Sequence, residues 1–83
     1  MSTTEYEHFA DTRGLVCPEP LMIVRNKVRT MKTGERLLVL ATDPSTDRDF
    51  RNFCRFMKHT LELAEVANGE HKYVIRKGLL ETS

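Results

Sequence analysis

The sequence predicts an α/β (α+β) fold, a two-layer sandwich in which two helices lie on one face of a four-stranded mixed sheet. Three observations predict it. Apolar residues recur at helical spacing in two segments, at Leu21, Val24, Val28 and Met31 and at Phe50, Phe53, Cys54 and Met57. A continuous apolar run of strand length, Leu37-Leu38-Val39-Leu40-Ala41, stands between them. The chain then finishes on two β-like segments around Asn68-Gly69, the dipeptide that most strongly marks a tight hairpin. The order is β-α-β-α-β-β, and right-handed crossovers put both helices on the same side of the sheet.

Taken in order, residues 1–5 are polar and expected to fray, and Tyr6 to Asp11 has a weak strand pattern. Thr12 to Val16 is a connecting loop in which Gly14 supplies a conformation that other residues avoid. The first helix is expected over Glu19 to Met31, with Lys32-Thr33-Gly34 as a basic last turn and a C-terminal glycine. Arg36 to Thr42 should be a strand in the middle of the sheet. Asp43-Pro44 stops it, and Ser45 or Thr46 can cap a second helix whose first turn, with Asp47 and Asp49, welcomes negative charge. Leu61 to Ala67 and His71 to Lys77 should pair antiparallel across Asn68-Gly69.

Composition narrows the function. Eighty-three residues make one domain, 1–83, with a single modest core. Thirteen Lys and Arg against twelve Asp and Glu give a net charge of +1, so bulk electrostatics makes no case for nucleic acid. Arg25, Lys27, Arg29 and Lys32 lack the interleaved aromatics and glycine-rich clamp of an RNA-binding surface, which argues against direct tRNA binding. No apolar run reaches the roughly 20 residues of a membrane span and the polar start lacks a signal-peptide core, so a cytoplasmic location is expected. Two cysteines in that compartment should stay reduced.

The stretch with chemical promise is Cys17-Pro18-Glu19-Pro20. Proline suits a first helical turn, so Cys17 should stand at or beside a helix N-cap, where backbone N–H groups such as those of Glu19 and Leu21 and the helix dipole favour a sulfur anion. Glu19 opposes that effect and Arg13 can offset it, so the sign of the shift depends on the fold. A dithiol motif would need a second cysteine where the chain has Pro20. A lone thiol remains a nucleophile, a metal ligand or a carrier of a group bonded to sulfur. His8, His59 and His71 are scattered, which disfavours both a metal site and a cysteine hydrolase. Cys54 lies on an apolar helical stripe and reads as a small buried hydrophobe. If the first two strands are parallel neighbours, one exposed patch with no deep pocket collects Arg13, Cys17, Glu19 and Asp43.

Asp11, Gly14, Cys17-Pro18-Glu19-Pro20, Gly34-Glu35, Asp43-Pro44-Ser45-Thr46, Asp49 and Tyr73-Val74-Ile75-Arg76-Lys77, in that order over nearly the whole chain, resemble the TusA/SirA family of sulfur carriers. Phe53 to His59 is similar to the TusA branch, although Lys58 stands where other relatives carry a glycine before the histidine. The resemblance implies that Cys17 accepts a sulfane sulfur as a persulfide from a cysteine desulfurase and passes it to a downstream sulfur-relay protein, in the TusA branch toward 2-thiolation of tRNA wobble uridine. It implies no cofactor and no small-molecule substrate of its own, with Arg13, Gly14, Pro18, Glu19 and Pro20 as the supporting motif. A carrier acts once per loading rather than turning over alone. A regulatory or nucleic-acid-binding module that does not need the thiol is the alternative. Met22 and Phe56 fall off the apolar stripes of their helices, and with Arg25 and Asp43 they form the expected docking surface for the desulfurase.

Overall fold

The structure, a computed structural model, describes residues 6–78; the expected fraying of residues 1–5 falls outside them. The elements run β1 (His8–Thr12), α1 (Glu19–Arg29), β2 (Arg36–Ala41), α2 (Thr46–Met57), β3 (Thr60–Ala67) and β4 (Glu70–Arg76). The sheet order is β1-β2-β4-β3, with β1 and β2 parallel and the other pairs antiparallel. The fold is the expected α+β sandwich, and β2 is an internal strand.

Alternation along the strands decides what the helices cover. Ala10 and Thr12 on β1, Leu37, Val39 and Ala41 on β2, and Tyr73 and Ile75 on β4 are buried. They meet Val24 and Val28 of α1, Met31 just beyond it, and Phe50 and Cys54 of α2. Phe50 meets Tyr73 edge-on, with ring centroids 4.8 Å apart. The unbroken apolar run of β2 is therefore split between two environments. Leu38 pairs with Phe9 on one side and Val74 on the other, and Val74 pairs with Leu63. These four form an apolar row on the face of the sheet away from the helices.

Local chemistry sets the boundaries. α1 ends at Arg29, earlier than expected, because the N–H groups of Thr30 and Met31 turn back in tighter bonds to the carbonyls of Lys27 and Val28, each at 3.0 Å, and the Thr30 hydroxyl also donates to Lys27 O at 2.8 Å. Gly34 consequently belongs to a separate turn before β2 rather than to the helix cap. α2 closes on Lys58 in the left-handed region, φ 62°, with the His59 N–H returning to Cys54 O at 2.8 Å. Asn68 and Gly69, both at positive φ, make the hairpin turn. No helix among the described residues is long and apolar enough to cross a membrane.

Candidate functional site

Because β1 and β2 run parallel, the loops leaving their C-terminal ends are neighbours, and hydrogen bonds join them. After β1 the chain turns at Gly14, whose φ of 85° is open to glycine and strained for other residues. The Gly14 N–H donates to Thr42 Oγ1 at 2.9 Å. Three residues later the Cys17 N–H donates to Asp43 Oδ2 at 2.7 Å. Asp43 uses its other oxygen on its own loop, accepting from the N–H and the hydroxyl of Ser45, each at 3.0 Å. These N–H donors, Ser45 first and then Cys17, hold the Asp43 carboxyl below the usual range.

Behind Asp43 lies a buried polar chain. Thr46 donates its single hydroxyl hydrogen to Asp43 O at 2.7 Å. Its oxygen must then accept from Tyr73 OH, 2.9 Å away, and Tyr73 in turn accepts from Nδ1–H of His71 at 3.2 Å. Thr46 and Tyr73 are both buried, so the β2–α2 loop that receives Cys17 is anchored into the core.

Cys17 precedes the N-cap, which is Pro18, and Pro20 occupies the first turn of α1. The expectation that the Glu19 N–H faces the sulfur is not met, since that group donates to Val16 O at 2.9 Å. The thiol is exposed, and Sγ donates to Asp49 Oδ2 at 3.5 Å. Its pKa is raised. Partial desolvation by the surrounding loops is the main cause, followed by the hydrogen bond to Asp49 and the negative charges of Asp49 and Asp43, while Ser45 acts in the opposite direction. The resting group is thus a thiol rather than a pre-formed thiolate.

The expected patch is assembled in part. Cys17 and Asp43 are in contact. Arg13 is held instead by Asp11, through Nε to Oδ1 at 2.9 Å and a second bond to Oδ2 at 2.8 Å, with Glu70 at 3.4 Å. The paired guanidinium lowers the Asp11 carboxyl to about 2. The carboxylate beside the sulfur is Asp49, which sequence reasoning placed at the helix start and within the family resemblance but not at the thiol. Its i+4 relation to Ser45, the N-cap of α2, is the signal that could have found it.

From Asp49 an open groove of about 630 Å³ runs between the two helices, lined by Leu21, Arg25, Phe53, Phe56 and their neighbours. It brings together Arg25 and Phe56. Phe56 is 83% exposed and Met22 50% exposed, and Asp43 stands at the sulfur end through its bond to Cys17. Cys54 is buried in the core, and burial pushes its thiol up to about 11.

Comparison with known proteins agrees with this architecture. The structure superposes on the SirA-like protein of Desulfitobacterium hafniense with a TM-score of 0.75, covering 88% of this chain and all of that one at 22% identity, which establishes a shared fold. The sequence model of the family described as Sulfurtransferase TusA matches residues 8–77, from the first strand to the end of the last. That match spans most of the sequence, and the chain belongs to the TusA sulfurtransferase family.

Proposed function

We propose that this protein carries sulfur as a persulfide on Cys17, taking it from a cysteine desulfurase and handing it to a downstream relay protein, in a cytoplasmic route that ends in 2-thiolation of tRNA wobble uridine. The observation that carries the reading is the isolation of one exposed thiol. The chain has two cysteines, and the second is buried in the core, so a persulfide on Cys17 has no neighbouring thiol to discharge it. The sulfur also stands on an open surface beside a groove rather than inside a cavity, which suits transfer between proteins by thiol attack.

Docking of the desulfurase is assigned to Met22, Arg25, Asp43 and Phe56. Exposed methionine, arginine and aromatic side chains are favoured anchors of protein interfaces, and Arg25 and Phe56 share the groove that begins at the Asp49 contact to Cys17. Arg25→Glu should slow sulfur transfer from the desulfurase while leaving the fold and the reactivity of Cys17 toward a small reagent unchanged. Transfer and complex formation at wild-type levels would remove Arg25 from the docking surface.

The direct test is intact mass after incubation with a cysteine desulfurase and cysteine. One sulfur, about 32 Da, should add to the wild-type protein and be lost on treatment with a thiol reductant. Cys17→Ser should take up none; loading that persists in that variant sinks the proposal.

A further inference from the structure

Sulfur loading removes one particular atom from the site, the hydrogen on Cys17 Sγ. In the unloaded protein that hydrogen is given to Asp49 Oδ2 across 3.5 Å. The Asp49 side chain is only 18% exposed, and its other oxygen faces Arg48 Nε at 3.8 Å, a long contact to a side chain that is itself 74% exposed. Both oxygens of Asp43, the second carboxylate at the site, already accept from Cys17 N–H and Ser45. The empty carrier is therefore a satisfied arrangement in which the thiol donates and the carboxylate accepts.

Loading reverses that arrangement. In a persulfide, Sγ is bonded to its own Cβ and to the outer sulfur and bears no hydrogen. The donor to Oδ2 is lost, and two electron-rich atoms are left facing each other in a partly desolvated corner. Ionisation of the outer sulfur would add a like charge beside the carboxylate.

Building on the sulfur-carrier reading, we propose that Asp49 sets the transfer equilibrium of Cys17, stabilising the emptied thiol through the Sγ–H to Oδ2 bond and opposing the loaded persulfide, so that the carrier is poised to give its sulfur up. The exchange is balanced without an oxidant. Cys17 Sγ forms a bond to the outer sulfur of a donor persulfide as the donor's sulfur–sulfur bond breaks, and the proton that leaves Sγ is matched by one taken up on the donor thiolate. On discharge the acceptor thiolate attacks the outer sulfur, Cys17 leaves as thiolate, and Sγ regains a proton that Asp49 again accepts as a hydrogen bond. Asp49 acts on the reacting sulfur in both directions but favours the empty side.

The test is an equilibrium rather than a rate. The full-length protein is mixed at neutral pH with glutathione persulfide and glutathione in varied ratio, and the loaded fraction is read by intact mass. Asp49→Asn keeps the size of the side chain but offers an amide N–H toward Sγ, and its loading constant should rise by about ten-fold, the scale of one lost charge-assisted hydrogen bond. Asp49→Ser, whose hydroxyl is smaller and can also donate, should shift the constant in the same direction and serves if the first variant does not fold. Constants equal to or below that of a loading wild-type protein overturn the role of Asp49 and leave the carrier reading standing. A wild-type protein that takes no sulfur at any ratio overturns the carrier reading, and this inference with it.

Discussion

The backbone N–H of Cys17 is bonded at 2.7 Å to the carboxylate of Asp43, 26 residues further along the chain. The position of the reactive sulfur is thus fixed from outside the motif that contains it. Asp43→Ala removes this acceptor together with those of the Ser45 N–H and hydroxyl. Amide hydrogen exchange at Cys17 should accelerate markedly in that variant, with slower sulfur uptake, while the amides of β4 stay protected. Unchanged protection at Cys17 would show that the bond does not hold the loop.

The raised pKa of Cys17 predicts its pH profile. Alkylation needs the thiolate, so its rate should be low at neutral pH and inflect at a more alkaline pH than an ordinary free cysteine, near 8.5. Asp49→Asn removes a cause that raises the pKa and should move the inflection down, whereas Ser45→Ala removes one that lowers it and should move the inflection up. Shifts of the same sign in both variants would contradict this account of the site.

His59 should make stability depend on mild acid. Its Nδ1 accepts from the Gly78 N–H at 2.9 Å, so the neutral ring carries its proton on Nε2 and a second proton must enter where an N–H already points. Burial first and Lys77 second hold its pKa below the ordinary 6.5. The unfolded chain therefore binds this proton at a higher pH than the folded one. The contribution is fully present above about 6.5 and is lost as pH falls through the folded-state value. The urea midpoint should fall between about pH 7.5 and pH 5.5, and less steeply in His59→Asn.

Cys54→Ala should cost of order 1 kcal/mol through lost transfer energy and a small cavity, measured by urea unfolding, with sulfur loading retained. Lost loading in a folded variant would make Cys54 a second functional thiol.

Lys58 closes α2 at φ 62°, a conformation that costs a side-chain-bearing residue about 1 kcal/mol and glycine very little. Lys58→Gly should raise stability by roughly 0.5–1 kcal/mol. A loss instead would mean that the lysine side chain contributes more than its backbone costs.

Much of this was legible in the sequence, and the exceptions share a cause. Periodicity and turn residues located both helices and the Asn68-Gly69 hairpin, because these depend on neighbours a few residues apart. The meeting of Cys17 with Asp43 was also legible, since parallel strands bring the loops after them together. What escaped depends on rotation and on distant partners. Asp49 reaches the sulfur only because of how α2 is turned about its axis, and Arg13 is captured by Asp11 and Glu70. The run of β2 was readable as a strand, but only three-dimensional pairing shows that Leu38 belongs with Phe9, Val74 and Leu63 on the opposite face from Leu37 and Val39.

The buried chain from Asp43 through Thr46 to Tyr73 bears on how such a carrier can diversify. It ties the seat of the sulfur to the sheet and to α2, and the solvent side of α1 takes no part in it. If Met22 and Arg25 dock the desulfurase as proposed, substitutions there would alter which proteins approach without displacing Cys17. Of the four residues proposed for docking, Asp43 also seats the sulfur, so recognition would be retuned on α1 while Asp43 stays fixed.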